Sequence, residues 1–168
     1  MHQKAEKEST AKESPIKKSS IKKSTAKRSE RNMAASKSTQ HSDSIVLNLL
    51  LSKPEAEHCY PFGDDVSVFK VRGKMYATHS HNFRGEEAIN LKCEPSQALA
   101  LRDVFDAIVP GYHMNKKHWN TVMLNGDVPL PEIERMIDHS YSLVVKGLKK
   151  AERQALVALY GEHILSSA

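Results

Sequence analysis

Between Val66 and Leu124 the apolar side chains fall in short alternating runs separated by tight-turn signals, a pattern that restricts the chain to an antiparallel sheet. Val66-Ser-Val-Phe-Lys-Val predicts a strand, Arg72-Gly73 a tight turn, and Lys74-Met-Tyr-Ala-Thr-His the hairpin partner. A polar loop, His81-Asn-Phe-Arg-Gly-Glu, leads to a third strand at Ala88-Ile-Asn-Leu-Lys-Cys. Gly111–Asn115 then turns sharply and returns through His118–Leu124 as a second hairpin. Strands joined in this way need no βαβ crossover, so the natural packing is an antiparallel sheet with helices on one face.

The helices come from the flanking segments. Ile45-Val-Leu-Asn-Leu-Leu-Leu predicts a short apolar helix, with Ser42, Asp43 and Ser44 as candidate N-caps and Pro54 as its stop. Tyr60-Pro-Phe-Gly-Asp-Asp is a turn-rich bridge. Pro95 suits the first turn of a second helix, whose stripe of Leu99, Leu101, Val104 and Phe105 runs until Pro110. After the break at Asn125-Gly126-Asp127, Pro131 opens a longer helix with Ile133, Met136, Ile137, Tyr141, Val144 and Val145 at helical spacing. A final helix from about Lys150 carries Ala155, Leu156, Leu159 and Ile164. The expected fold is α+β: helix, three strands, helix, two strands, helix, helix, over a domain from residue 45 to 168.

Residues 1–44 differ in kind. Apart from Met1, their only large apolar side chains are Ile16, Ile21 and Met33, too few to offset a backbone ordering entropy of roughly 1–2 kcal/mol per residue. The expectation is a disordered Lys/Ser-rich tail. It carries 11 Lys+Arg and 5 acids, net +6, which leaves 25 − 11 = 14 bases against 20 − 5 = 15 acids in the remainder, net −1. The folded part cannot bind nucleic acid by bulk charge and would need localised charge. Within the tail, Ile16-Lys-Lys-Ser-Ser is followed by Ile21-Lys-Lys-Ser-Thr. This short repeat reads either as a solvated arm or as a source of sequence-independent phosphate contacts. Cys59 and Cys93 lack CxxC spacing, and there is no apolar signal region or membrane-length apolar run, so the expected compartment is the cytoplasm with free thiols.

Pro110-Gly-Tyr-His-Met-Asn-Lys-Lys-His-Trp-Asn-Thr-Val is the most distinctive segment. Lys116 and Lys117 form its tip, flanked by Tyr112, His113, Asn115, His118, Asn120 and the only tryptophan, Trp119. Strand alternation puts Tyr112 and Met114 on one face and His113 and Asn115 on the other. A basic tip with aromatic and amide neighbours suits contact with phosphates and base edges. The same residues also suit a tight turn braced by core aromatics. Lys70, Arg72 and Lys74 surround the first hairpin tip and Arg84 sits in the long loop, so three basic turns would polarise the surface if they lie on one side.

Tyr60-Pro-Phe-Gly, Val68-Phe-Lys-Val-Arg-Gly-Lys-Met, Asn90-Leu-Lys-Cys-Glu-Pro, the Pro110–Val122 block and Ile137-Asp-His-Ser-Tyr-Ser-Leu-Val-Val together closely resemble the MmcQ/YjbR family, in order and in register over about residues 45–150. The resemblance implies a two-layer α-β(3)-α-β(2)-α fold, similar to secretion chaperones and the CyaY-like class. It also implies a DNA-binding protein with a double wing, the wings falling here at Lys70–Lys74 and Gly111–Trp119. The other function class open to such a fold is a chaperone-like protein-interaction module. That would show an exposed apolar patch in place of a basic one.

Metal and catalytic chemistry have little support in the sequence. His79 and His81 share a strand face and His113 approaches His118 across a hairpin, but neither pair has a carboxylate or cysteine at a customary ligand spacing. Cys93 ends a strand before a Pro-led helix, which suits packing better than nucleophilic chemistry. No P-loop, GxGxxG or GxSxG is present. The expectation is a non-enzymatic protein with no cofactor and DNA as its partner.

Overall fold

The computed structural model describes residues 44–166. The predicted tail therefore lies outside the described residues except for Ser44, as do the candidate caps Ser42 and Asp43. A helix over residues 44–51 (α1) is followed by strands Glu57–Cys59 (β1), Val66–Val71 (β2), Lys74–Phe83 (β3) and Glu86–Lys92 (β4). Helix Pro95–Val104 (α2), strands Ile108–Pro110 (β5) and Trp119–Met123 (β6), and helices Leu130–Lys146 (α3) and Lys150–Tyr160 (α4) complete the order, with a final 3-10 turn at Glu162–Leu165. The strands form one six-stranded sheet in the order β1-β2-β3-β4-β6-β5, and every neighbouring pair is antiparallel.

The class is the expected α+β, with local differences; among them, the last helix ends at Tyr160 and leaves Ile164 in the 3-10 turn, and Leu99 and Val104 of the expected α2 stripe are exposed. β1 adds an edge strand: Glu57, His58 and Cys59 pair with Lys70, Phe69 and Val68. The segment is largely exposed and has no apolar alternation, so apart from the His58 ring stacked on Phe69 at 4.8 Å its pairing rests on backbone bonds that leave no mark in the sequence. The supposed loop 81–86 is continuous hairpin. β3 runs to Phe83, β4 starts at Glu86, and Arg84 and Gly85 take positive φ of 56° and 87°, as a two-residue turn between right-twisted strands requires. Helix α2 stops at Val104, and Ile108–Pro110 forms β5. The Asp127 carboxylate accepts bonds from the N–H groups of Asp106 (3.3 Å) and Ala107 (3.1 Å), which draws the chain out of the helix. No helix among the described residues is long and apolar enough to cross a membrane.

One sheet face meets the helices. Phe69, Ala77 and Leu91 lie in one cross-strand row and Ile89, Val122 and Ile108 in the next, packed against Val46 and Leu50 of α1, Leu101 of α2, and Ile133, Ile137 and Tyr141 of α3. The other face carries a polar ladder. Asn90 Nδ2 donates to Thr78 Oγ1 (2.9 Å), Thr121 Oγ1 donates to Asn90 Oδ1 (2.5 Å), and the Tyr112 N–H donates to Thr121 Oγ1 (2.9 Å). Thr78 and Thr121 are buried, so the ladder satisfies groups that would otherwise destabilise the sheet.

Helix α3 is tied to the sheet at one hydroxyl. A bulge between Phe69 and Lys70 interrupts β2–β3 pairing at Tyr76, and the β3–β4 ladder ends at Ala77 with Leu91. Ser140 Oγ continues the ladder, accepting from Lys92 N–H (2.8 Å) and donating to the Tyr76 carbonyl (2.5 Å). Ser140→Ala leaves two backbone groups without a partner. With orphaned buried groups costing about 1–3 kcal/mol each, we expect a loss of about 2–3 kcal/mol, measured as a lower urea midpoint at unchanged m-value.

Candidate nucleic-acid interface

Strand direction decides where the basic turns emerge. β2 and β5 run one way and β3 and β6 the other, so the β2–β3 turn and the β5–β6 loop project from the same end of the sheet. Their bases are level: Phe69, Ala77, Leu91, Asn120 and Pro110 form one row, with the turns just beyond it. Three strand spacings separate the two turns, about 14 Å at 4.7–4.9 Å per spacing. Lys92, which sequence reasoning passed over, lies between them at the end of β4, opposite Trp119.

In the first turn Arg72 and Gly73 take φ of 50° and 70°, again the two-residue hairpin form. Arg72 is committed to Glu55, with Nη2 2.8 Å from Oε1 and Nε 2.6 Å from Oε2. That leaves the half-buried Lys70 and the exposed Lys74 as the ammonium groups of this turn. Neither makes an ion pair among the described residues.

The second loop is two consecutive tight turns, so strand alternation does not hold across Tyr112–Asn115. Gly111 N–H donates to the Trp119 carbonyl (2.9 Å), Met114 N–H to the Gly111 carbonyl (3.4 Å) and His118 N–H to the Asn115 carbonyl (3.0 Å). His113 sits at φ 55°, and Asn115 Oδ1 accepts from Lys117 N–H (3.0 Å), the local bond that makes asparagine a turn residue. A Cβ at Gly111 would lie 2.7 Å from Trp119 Cβ and 2.9 Å from its carbonyl, so only glycine permits this closure. Lys116, Lys117 and His118 are exposed, and Trp119 is half-buried.

Arg102 of α2 braces the loop, a role without signal in the sequence. Its Nε donates to Asn120 Oδ1 (2.7 Å), and its Nη2 donates to the carbonyls of Lys116 (2.5 Å) and Trp119 (3.2 Å). Asn120, expected at the contact surface, is fully buried on the helix side and also donates from Nδ2 to the Ala98 carbonyl (3.5 Å). It shapes the loop and has no access to a base edge. The signal was available: Asn120 has the same strand parity as the apolar Val122 and Leu124.

Arg84 does not belong to the end that carries the other tips, since its turn closes the opposite end of β3. A bulge between Ser80 and Phe83 accompanies a ring chain that links it to the second loop. Arg84 Cζ lies 5.1 Å from the Phe83 ring centroid, Phe83 packs edge-on to Tyr112 at 5.1 Å, and Tyr112 meets His113 at 4.0 Å. Tyr112 is half exposed, so its ring both holds the loop and faces solvent.

Cys93 is buried, its thiol pushed up to about 11 by desolvation, and its N–H donates to the His118 carbonyl (2.9 Å). The thiolate needed for nucleophilic attack is thus scarce at neutral pH. The sequence placed no carboxylate with His79 and His81, but Glu87 of β4 lies beside both.

These observations define a two-layer α+β domain with two level, hairpin-borne basic turns. Residues 51–143 match the YjbR family model. The chain belongs to the YjbR family. It is 40% identical over 106 residues to YbdF, an uncharacterised protein of Escherichia coli O157:H7, covering 63% of this chain and 86% of that protein. It is 32% identical over 116 residues to YjbR of Escherichia coli K12, also uncharacterised, covering 69% and 98%. Among solved structures it is similar to the Deinococcus radiodurans protein DR2400, a DUF419 domain, with a TM-score of 0.60 and 37% identity over 65% of this chain and 83% of the other. A Pseudomonas syringae protein matches at a TM-score of 0.51 and 31% identity over 57% and 92%.

Proposed function

We propose that this chain is a non-catalytic DNA-binding protein that grips the phosphate backbone with its two basic hairpin turns. The observation that carries the reading is their placement at one end of the sheet, level and about 14 Å apart by strand spacing, close to the roughly 12 Å width of the major groove. Lys116 and Lys117 head one turn, Lys70 and Lys74 the other, and Lys92 lies between. Trp119 and Tyr112 set the wing's shape, and the basic segment 1–44 adds sequence-independent affinity.

Fluorescence anisotropy with a short duplex, titrated across salt concentrations, tests this. Neutralising a phosphate releases counterions and gives a log–log slope of about −0.9 per contact. Lys116→Ala with Lys117→Ala should weaken binding and make the slope shallower by about 1.8. Deleting residues 1–43 should weaken it further without abolishing it. Binding that ignores the two lysines and vanishes with the tail rejects the wing mechanism. A partner captured at high salt after nuclease treatment would favour the protein-interaction class instead.

A further inference from the structure

A second cluster lies on the helix side of the sheet, away from the basic turns. His79 and His81 alternate onto one face of β3, and pairing of Ser80 with Ala88 brings Glu87 of β4 alongside. His81 Nδ1 is 3.2 Å from Glu87 Oε1, and His79 Nε2 is 3.6 Å from Glu87 Oε2. The two imidazole rings meet edge-on with centroids 4.6 Å apart. One ligand atom from each of the three residues can be chosen so that all lie within 4.8 Å of one another.

We propose that His79, His81 and Glu87 form a binding site for a divalent transition cation of the zinc type, held by two imidazole nitrogens and one carboxylate oxygen. Tetrahedral bonds of 2.0–2.1 Å place ligand atoms about 3.3 Å apart, and each histidine already has one Glu87 oxygen near that distance, His81 Nδ1 beside Oε1 and His79 Nε2 beside Oε2, so turning the carboxylate brings a single oxygen between them. The His–His separation closes by rotation of His81, whose side chain is 49% exposed.

The burial gradient suits an ion site. His79 is 2% exposed, and neither of its ring nitrogens has a hydrogen-bond partner among the described residues. Burying such a group without a partner is unfavourable, and coordination of Nε2 would satisfy it. His81 provides the entry from solvent and leaves a fourth position for water. The strands fix the donors in advance: His81 N–H donates to the Asp65 carbonyl (3.2 Å) and Leu124 N–H to the Glu87 carbonyl (2.9 Å). Two imidazole nitrogens and a single carboxylate select zinc, cobalt or nickel over magnesium or calcium, which prefer all-oxygen shells.

The test is titration of the metal-free full chain with Zn2+ by calorimetry and with Co2+ by visible absorption. One equivalent should bind, with magnesium failing to compete. His81→Ala and Glu87→Gln should each weaken it by at least about tenfold, the low end of what losing an indirect support of a ligand costs. His2→Ala with His41→Ala should leave it intact, which excludes the N-terminal histidines. Because replacing His79 risks the fold, its role is read in the unaltered chain: its Nε2 resonance should move on addition of Zn2+. No stoichiometric binding at micromolar Zn2+, unchanged affinity in either variant, or an unmoved His79 resonance overturns the site.

Discussion

Gly126→Ala should destabilise the domain by about 2–3 kcal/mol, the upper range for forcing extra volume into a packed site. A Cβ at Gly126 would lie 2.1 Å from Ala107 Cβ and 3.4 Å from its Cα. Carbon atoms in contact sit about 3.5–4.0 Å apart, so the backbone must move. It is poorly placed to do so, because Gly126 N–H donates to the Met123 carbonyl (3.3 Å) and Met123 N–H to the Ala107 carbonyl (2.9 Å). The adjoining Asp127 holds the N–H groups of Asp106 and Ala107. This clasp sets β5 against β6 and therefore carries the second basic loop. The diagnostic is a reversal: Gly126→Ala combined with Ala107→Gly should be more stable than Gly126→Ala alone, although Ala107→Gly by itself removes a buried methyl worth about 0.8 kcal/mol. Chemical denaturation of the four proteins measures the coupling. Simple additivity would reject a steric cause.

The parts of this fold that were legible in the sequence are those whose local pattern and tertiary role agree. Val66–Val71 alternates, Arg72-Gly73 supplies the turn, and α3 repeats its apolar side chains at helical spacing. The parts that were not legible depend on partners far along the chain. Ile108 and Val109 looked like the continuation of a helix until Asp127, near the other end of the clasp, claimed the preceding N–H groups. Arg84 looked like loop because the outer end of the β3–β4 hairpin has Phe83 as its one large apolar side chain, too little to show alternation. At the candidate site, composition found Lys116 and Lys117, and glycine and asparagine marked their turns. Arg102, Lys92 and Glu87 had no signal, since an arginine in a last helical turn, a lysine ending a strand and a glutamate opening one are ordinary. Their roles come from cross-strand and helix–loop neighbours.

Arg102→Ala should give the other large effect, and it separates bracing from direct contact. The substitution removes the donor facing the fully buried Asn120 Oδ1, frees the Lys116 carbonyl, and leaves the Trp119 carbonyl with the Gly111 N–H. An acceptor stranded in the interior costs about 1–3 kcal/mol, and the released loop adds to that. Arg102→Lys should recover little, because a lysine has the charge but not the planar fork that reaches three acceptors from one position. A double-mutant cycle with Asn120→Ala should return a coupling of about 0.5–3 kcal/mol. The DNA readout is sharper. A positioning residue leaves Lys116 and Lys117 present but unheld, so affinity should fall while the salt slope stays where it was. If Arg102 touched phosphate itself, the slope would be shallower by about 0.9. An unchanged affinity would mean that the loop needs no brace to bind, and the two-turn grip would lose its geometric basis.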